Sequence, residues 1–388
     1  MILMIAGALL AGIGLIVSPK EFLYAWLVAF MFFLSLGLGA LWLVIVHHLF
    51  DAGWSVAIRR FCEHISTLLS PWMLFLFLPI AIGAKTIYPW MRENPANDHA
   101  LAAKLPLFTP LGFYVLATFC FVVWFVLSRR LRYWSLQQDQ TGAALPTYRM
   151  RFLSGIGIFL FALTLTIAAV MWMKALQHEW FSTMYGVYYF AGSVWVTLAT
   201  AYVITMILDR QGVLTEVLHE HQYYFLGSLL FAFTVFYAYI HFAQYFIIWN
   251  ANMPEETIWY VVRERGTWWW VGIVIIFGHF FIPFLALLRI DVKHVFSYMV
   301  PLCIWAWLMH FCDVAFNVMP PLLPHGFGEK PIALALVLGC MAVIGGLLAV
   351  VWLNFFNSHP PFPQRDPRML EALGLYHPAT TDAAVAKH

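Results

Sequence analysis

The sequence predicts an all-α integral membrane protein with about ten transmembrane helices. Of its 388 residues, 63% are hydrophobic and only 10% are charged, whereas soluble domains contain about 25% charged residues. Long apolar runs recur along the chain, separated by short charged or proline-containing breaks. Aromatic residues make up 18% of the chain, which suits rings placed at both lipid–water interfaces. Water is therefore not the main solvent of this chain.

The individual spans follow from the lengths of the apolar runs. A helix needs about 20 apolar residues to cross the hydrocarbon core of a bilayer. The first run is shorter, but it has no basic region before it and no A-x-A-like site after it, so we interpret it as a span and not as a signal peptide. The predicted spans cover residues 2–17, 22–47, 58–84, 108–129, 150–173, 184–208, 222–249, 267–289, 294–319 and 331–355.

Spans two to five and spans six to nine look like two copies of one four-helix unit, since each group starts with an aromatic-rich segment. Tyr24 and Tyr188 occupy equivalent places in the two groups. Parallel repeats of this kind place function at the seam between the bundles. The predicted organisation is a transmembrane domain over 1–357, with four-helix bundles at 22–173 and 184–319 and flanking spans one and ten, followed by a tail at 358–388.

The distribution of positive charge predicts the orientation of the chain. Alternate connections lie on opposite faces, and most of the 21 lysine and arginine residues fall on the face that carries both termini. The largest group is the connection from Arg129 to Arg151. Because cytoplasmic loops are rich in such residues, both termini and the tail are predicted to be cytoplasmic.

Three spans carry ionisable side chains inside otherwise apolar runs. In span nine, His310, Asp313 and Asn317 share one helical face, and a histidine one turn from a carboxylate can exchange a proton with it. Ionisable groups at membrane depth are costly and usually face the interior of a bundle. His279, near the middle of span eight, is a further candidate. The polar face of span seven consists of Tyr237, His241, Gln244 and Tyr245.

A second polar group lies at the cytoplasmic ends of spans two and three, and with the membrane residues it predicts a discontinuous proton path. Lys174, beside His178 and Glu179, is a candidate at the outer end of span five. Structural alternatives exist for all of them. A membrane histidine also forms helix–helix hydrogen bonds, worth about 0.6 kcal/mol on average, and charged side chains at the end of a span also reach the headgroups. The cytoplasmic group consists of His47, His48, Asp51, Glu63 and His64, with Arg59 and Arg60.

The residue pattern excludes several kinds of site. A haem-binding four-helix bundle needs facing histidine pairs, whereas His241, His279 and His310 are single. The five cysteines form no C-x-x-C pair, and no zinc or copper spacing occurs. The net charge of +2 gives no reason to expect nucleic acid as a partner. We therefore predict no catalytic residue, no metal ligand and no tightly bound cofactor in this chain.

Three segments carry a resemblance to a known family. They are YIHFAQYFIIWNANMPEET at 239–257, HEWFSTMYG at 178–186 and GWSVAIRR at 53–60. These segments resemble the membrane subunits of alternative complex III, a quinol:electron-acceptor oxidoreductase, within the NrfD-like (polysulfide-reductase membrane subunit) superfamily. The length of the chain is similar to that of the ActF type rather than the ActC type. Ala243 stands where the family commonly has serine.

The resemblance implies a multi-pass subunit of a respiratory complex in the bacterial inner (cytoplasmic) membrane. Such a subunit scaffolds the complex and provides a proton translocation path coupled to oxidation of menaquinol or another quinol, without a redox centre of its own. Haem c and iron–sulfur clusters would belong to partner subunits. The implied partners are an ActC-like membrane subunit, an iron–sulfur periplasmic subunit, cytochrome c subunits, a terminal oxidase and lipids.

Two other classes of protein fit the same residues. A secondary transporter with parallel helical repeats would hold its solute near the midplane of the membrane. A self-contained quinol enzyme would carry its own haem. On the outer side, Asn252, Glu255 and Glu256 are predicted to serve docking or loop architecture, and Pro254 ends span seven because proline lacks an N–H donor.

Overall fold

The structure, a computed structural model, describes residues 2–373. This part of the chain is helical and contains no β-strand, which confirms the predicted all-α membrane class. Nine of its helices are long and apolar enough to cross a membrane, and a shorter apolar helix precedes them. The helices are α1 (Ile2–Val17), α2 (Pro19–Leu49), α3 (Gly53–Ile82), α4 (Pro110–Thr141), α5 (Leu145–Gln177), α6 (Tyr185–Arg210), α7 (Glu220–Ala251), α8 (Gly266–Leu287), α9 (Phe296–Val318) and α10 (Pro331–Asn357).

Helix α1 runs antiparallel to α10, because Met4 lies against Gly346 whereas Gly14 lies against Leu336. The chain therefore enters and leaves the helical array on the same side. We call the face on which α1 begins and α10 ends the terminal face, and the other side the opposite face. Of the predicted tail, residues 374–388 lie outside the described residues.

The helix that contains predicted span four extends well beyond the predicted end of the span at residue 129. Helix α4 continues to Thr141 and stops at Gly142, whose φ of +64° lies in the left-handed region that glycine adopts without strain. Arginine, leucine and glutamine favour helix, so the end of the apolar run does not end the helix. Most of the expected Arg-rich connection is therefore helical, and Arg132 lies 4.6 Å from the centroid of the Phe355 ring.

Helix α3 is not continuous, although one span was predicted over 58–84. An α-helix over Val56–Ser66 is followed by a short 3₁₀ turn, and a second α-helix begins at Trp72. Pro71 precedes the second helix and has no N–H group to continue the first. The first half consequently presents its charged residues to the terminal-face ends of α2 and α4.

Helix α2 lies at the centre of the array and packs against α3, α5, α6, α9 and α10. It approaches α6 closely at Gly39, where an added Cβ would lie 2.2 Å from Thr197 Oγ1 and 2.3 Å from Ser193 O. Small residues allow such backbone approach in membrane proteins. The division into two four-helix bundles stays a prediction. Tyr24 donates to Ile87 O (3.1 Å) and does not repeat the carboxylate contact of Tyr188.

Substitution of Gly39 by valine is expected to destabilise the protein by about 1–3 kcal/mol, because the new side chain overlaps the α6 backbone, and displacement of that backbone would disturb the packing of α6. Thermal unfolding in detergent measures the change. Gly155→Val on α5 is the matched control, since no atom lies within 4 Å of the position of its Cβ. Equal unfolding temperatures for the two variants would contradict the packing described at the α2–α6 contact.

Candidate functional site

The centre of the candidate site is the carboxylate of Asp313, which α9 holds in the protein interior. Asp313 is 4% exposed, and its Oδ1 accepts hydrogen bonds from the hydroxyl groups of Tyr237 (2.8 Å) and Tyr188. Those two hydroxyls, on α7 and α6, are 3.2 Å apart. None of the ion pairs within residues 2–373 includes Asp313. Its burial is compensated by neutral donors, namely these two hydroxyls and the side-chain amide of Asn317 (3.5 Å).

Asn317, one turn after Asp313, extends this network along the seam between α6 and α9. Its Nδ2 donates to Tyr188 Oη (3.0 Å) and to the backbone oxygen of Asp313 (2.8 Å). Tyr185, one turn before Tyr188 on α6, donates to Asn317 Oδ1 (3.0 Å). Periodicity predicted the shared face of Asp313 and Asn317, but it did not predict the tyrosines that meet it from α6.

His310 lies one turn before Asp313 and reaches across to α2. Its Nε2 is 2.8 Å from Ser35 Oγ, which itself donates to Phe32 O (2.6 Å). When the single hydroxyl proton of Ser35 goes to that carbonyl, Nε2 of His310 is the donor and its Nδ1 carries the lone pair. Nδ1 has no partner within the described chain. Gly192 leaves room for the ring, since a Cβ there would be 3.0 Å from His310 Cε1.

His279 is buried on α8 between two aromatic rings. The centroid of its imidazole is 3.6 Å from that of Tyr237 and 3.8 Å from that of Trp195. The backbone forms a π-helical turn over Ile276–Phe281, a feature frequent at functional sites. Neither ring nitrogen has a hydrogen-bond partner among the described residues. Both ring nitrogens are therefore available to hydrogen-bond a water molecule.

A cavity of about 540 Å³ lies between α7 and α8, next to this network. Tyr237 and His241 line its inner wall, while Tyr239 and Phe242, both 64% exposed, lie at its edge. The cavity therefore opens sideways from the helices, toward the region that lipid occupies. Most of the wall is aliphatic or aromatic, and its polar members are Tyr237, Tyr239, His241, Tyr245, Tyr260, Arg263 and Glu264.

Arg263 ends a short helix, Pro254–Arg263, that connects α7 to α8 on the opposite face. Its guanidinium lies 3.6 Å from the centroid of the Trp259 ring and donates to the carbonyls of Phe316 (2.9 Å) and Asn317 (3.0 Å) at the end of α9. Burial lowers the pKa of Arg263 to about 9, so the side chain stays protonated at neutral pH. Arg263 was not among the predicted site residues, because it lies outside the apolar runs.

The outer part of the polar face of α7 has a different role from Tyr237 and His241. Gln244 accepts from Ser182 Oγ (3.0 Å) and donates to Tyr260 Oη (3.2 Å). The Tyr245 ring packs edge-on against Tyr260. Gln244 and Tyr245 therefore fasten the short helix to α7 and to the segment before α6. The same junction is reinforced where Trp180 donates to Glu256 O (2.9 Å).

The group predicted at the ends of spans two and three forms a second cluster, at the terminal face. Arg59 binds Glu63 (2.9 Å) and His47 Nε2 (2.8 Å), while Arg60 binds Glu63 (3.2 Å) and Asp139. His47 Nδ1 lies 2.5 Å from Ser55 Oγ. The side chains of Asp51 and His48 both contact Arg368. His64 is buried, and neither of its ring nitrogens has a partner within the described chain.

The segment after α10, the first part of the predicted tail, completes this cluster. Asp366 is 3% exposed and binds Arg59 (2.5 Å) and Arg368 (2.8 Å). Burial by itself would raise its pKa, but the two guanidinium groups hold the pKa of Asp366 well below its ordinary value. We call residues 358–373 the strap, because they lie across the terminal ends of α2, α3, α4 and α7. These ion pairs anchor the strap to the terminal-face ends of the helices.

The two clusters are separate along α2. Ser35, which contacts His310, and His47, which contacts Arg59, are twelve residues apart, or about 18 Å along the helix. The structure therefore brings together His241, His279, His310, Asp313, Tyr237 and Asn317, but it does not join them to the terminal-face group through side chains alone.

Lys174 lies apart from both clusters. It is buried beneath the opposite face, 5.5 Å from the centroid of the Phe108 ring, and it forms no ion pair within the described part of the chain. Nearby, His178 Nε2 lies 2.6 Å from Asp98 and 3.3 Å from Glu93, close enough for the three groups to share a cation. Lys104 donates to His178 O, and its positive charge disfavours a divalent ion there.

No protein-family model matches this chain, and no curated protein matches it.

Proposed function

We propose that this chain is a membrane subunit of a quinol-oxidising respiratory complex of the alternative complex III type, in which it scaffolds partner subunits and transfers protons. The observation that carries the proposal is the Asp313 carboxylate, buried without a cation and bound by the hydroxyls of Tyr188 and Tyr237. Intramembrane carboxylates and histidines arranged in this way are typical of proton relays.

The proposed relay runs from the cavity to Asp313. The His241 ring lies against the rings of Tyr237 (5.9 Å) and Tyr188 (5.7 Å) and lines the cavity. A proton that arrives beside His241 passes to Tyr237 as that hydroxyl gives its own proton to Asp313. His310 and His279, with free ring nitrogens, take the proton onward through bound water.

The position of the cavity supports a lipid-soluble substrate over a water-soluble solute. It opens sideways between α7 and α8, its walls are mainly apolar, and its few polar members include His241, Tyr260 and Arg263. Sites for flat, amphipathic ligands have this composition. A quinol of the complex that reached this cavity from the bilayer would release its protons next to His241.

The opposite face supports assembly with partners. Trp249, Trp269 and Trp270 are each about half exposed or more there, and Asn252 and Glu255 are exposed beside them. Exposed aromatic groups rimmed by polar residues mark interaction surfaces. We assign this face to the subunits that carry haem c and iron–sulfur clusters, and the transmembrane surface to an ActC-like subunit and lipid.

Purification of the chain from its native membrane with an affinity tag tests the proposal. Mass spectrometry should find multihaem cytochrome c and iron–sulfur subunits in stoichiometric amounts, and the sample should oxidise a quinol. Isolation of the chain alone, with solute transport in proteoliposomes, would instead establish the transporter alternative. A haem spectrum from the isolated chain would establish a self-contained enzyme.

A further inference from the structure

Two buried side chains of opposite charge lie at the same end of α9, and neither has an ionic partner. Arg263 is 2% exposed and contacts the Trp259 ring, three carbonyl groups and the amide oxygen of Gln177. Asp313 contacts only hydroxyl and amide donors. No ion pair of residues 2–373 includes either of them. Since an unpaired buried charge is costly, each is the natural compensation for the other.

Asn317 connects them. Arg263 Nη2 donates to the backbone oxygen of Asn317 (3.0 Å), and Asn317 Nδ2 donates to the backbone oxygen of Asp313 (2.8 Å) and to Tyr188 Oη (3.0 Å). Tyr188 in turn donates to the Asp313 carboxylate. Asn317 follows Asp313 by one turn, about 6 Å along the axis. The two charges are therefore separated by roughly 10 Å of hydrogen-bonded groups, with no lipid or free solvent needed between them.

We propose that Arg263 is the counter-charge of Asp313, a positioning residue that sets the pH at which this carboxylate takes up a proton. The proposal rests on the proton-transfer role of Asp313 given above. At roughly 10 Å and an effective dielectric constant of about 20, the attraction between two unit charges corresponds to about one pH unit. Arg263 favours the ionised carboxylate by that amount and so keeps Asp313 ready to accept a proton.

Within residues 2–373, the other titratable groups around Asp313 come from α6, α7, α8 and α9, and they are tyrosines, histidines and a cysteine. The neutral hydroxyls supply hydrogen bonds, and each histidine becomes positively charged only while it holds a transferred proton. These groups are Tyr185 and Tyr188 on α6, Tyr237 and His241 on α7, His279 on α8, and His310 and Cys312 on α9.

Infrared titration of the purified protein tests the role of Arg263 without turnover. The C=O band of protonated Asp313 is identified by its loss in Asp313→Asn, and its pH midpoint is then compared among variants. Arg263→Gln should move the midpoint up by about one pH unit. Arg263→Lys, which keeps the charge, should stay close to the unsubstituted protein. Arg265→Gln, at the neighbouring exposed arginine, is the matched control and should cause no shift.

A second variant keeps Arg263 and its hydrogen bonds in place. Gln177 accepts from Arg263 Nη1 (2.9 Å), so Gln177→Glu sets a carboxylate against the guanidinium and should move the Asp313 midpoint upward as well. A folded Arg263→Gln or Gln177→Glu protein with an unshifted midpoint would overturn the counter-charge role. An equal shift in Arg263→Lys and Arg263→Gln would show that Arg263 only caps α9. Because the band is read in the absence of quinol, these outcomes are independent of whether the chain assembles with redox subunits.

Discussion

Substitution of Asp313 by asparagine is expected to slow proton transfer through this chain by at least about 100-fold, while the complex still assembles. The amide has the shape of the carboxylate and can still accept from Tyr188 and Tyr237, so packing at the α6–α7–α9 junction is retained. It cannot take up a proton at physiological pH. The substitution thus removes the proton-accepting group of the relay with little structural change.

The measurement is the rate of proton movement and the number of protons moved per quinol oxidised, in proteoliposomes that contain the complex and a pH-sensitive dye. Asp291→Asn is the matched control, since Asp291 is exposed on the terminal face and binds only Arg289. It should leave the ratio unchanged. An assembled Asp313→Asn complex that moves protons as the unsubstituted complex does would exclude Asp313 from the path.

In the same assay, Tyr237→Phe tests the role of the Tyr237 hydroxyl group separately from that of the ring. The phenylalanine ring keeps its stacking with His279 (3.6 Å) but gives no hydrogen bond to Asp313. Proton transfer should fall by about tenfold or more, because the relay loses its link from His241 while Tyr188 still holds the carboxylate. A rate equal to that of the unsubstituted complex would show that protons reach Asp313 by another route.

The fold class and the core of the site were predictable because a chain inside lipid can adopt few structures. Apolar runs long enough to span a bilayer stand out in any sequence, and a polar residue within such a run must find a partner in the interior. His310, Asp313 and Asn317 were identified on this basis, with His241, His279 and Tyr237. Their shared faces follow from helical periodicity alone.

The partners of these residues could not be predicted in the same way. Tyr185 and Tyr188 lie near the start of α6, where tyrosine is as common at an interface as in a site. Arg263 reaches the end of α9 only because its short helix folds back over it, and Asp366 is brought to Arg59 by the strap. These contacts join parts of the chain that are distant in sequence. Neither composition nor residue spacing predicts that such parts meet in the fold.

The largest loss of stability is expected for a substitution in the strap. Asp366→Ala is expected to destabilise the protein by about 3–5 kcal/mol, because Arg59 and Arg368 lose the buried carboxylate that they share, and their other acidic partners, Glu63 and Asp51, do not replace it. The same carboxylate has a depressed pKa in the folded state. Its contribution is therefore present at neutral pH and is lost as the pH falls below about 4, where the unfolded chain takes up a proton first.

Thermal unfolding in detergent at pH 7 and at lower pH separates this anchor from an ordinary surface ion pair. Asp291→Ala, which breaks the exposed pair with Arg289, should leave the unfolding temperature unchanged. Asp366→Ala should lower it strongly at pH 7, and the difference from the unsubstituted protein should shrink on acidification. The strap also contacts α4 at Asp139 and α7 at Gln222, so its release loosens the terminal face as a whole. If Asp366→Ala unfolded at the temperature of Asp291→Ala, the terminal-face cluster would not be an anchor, and its buried histidines would again be candidates for the proton path.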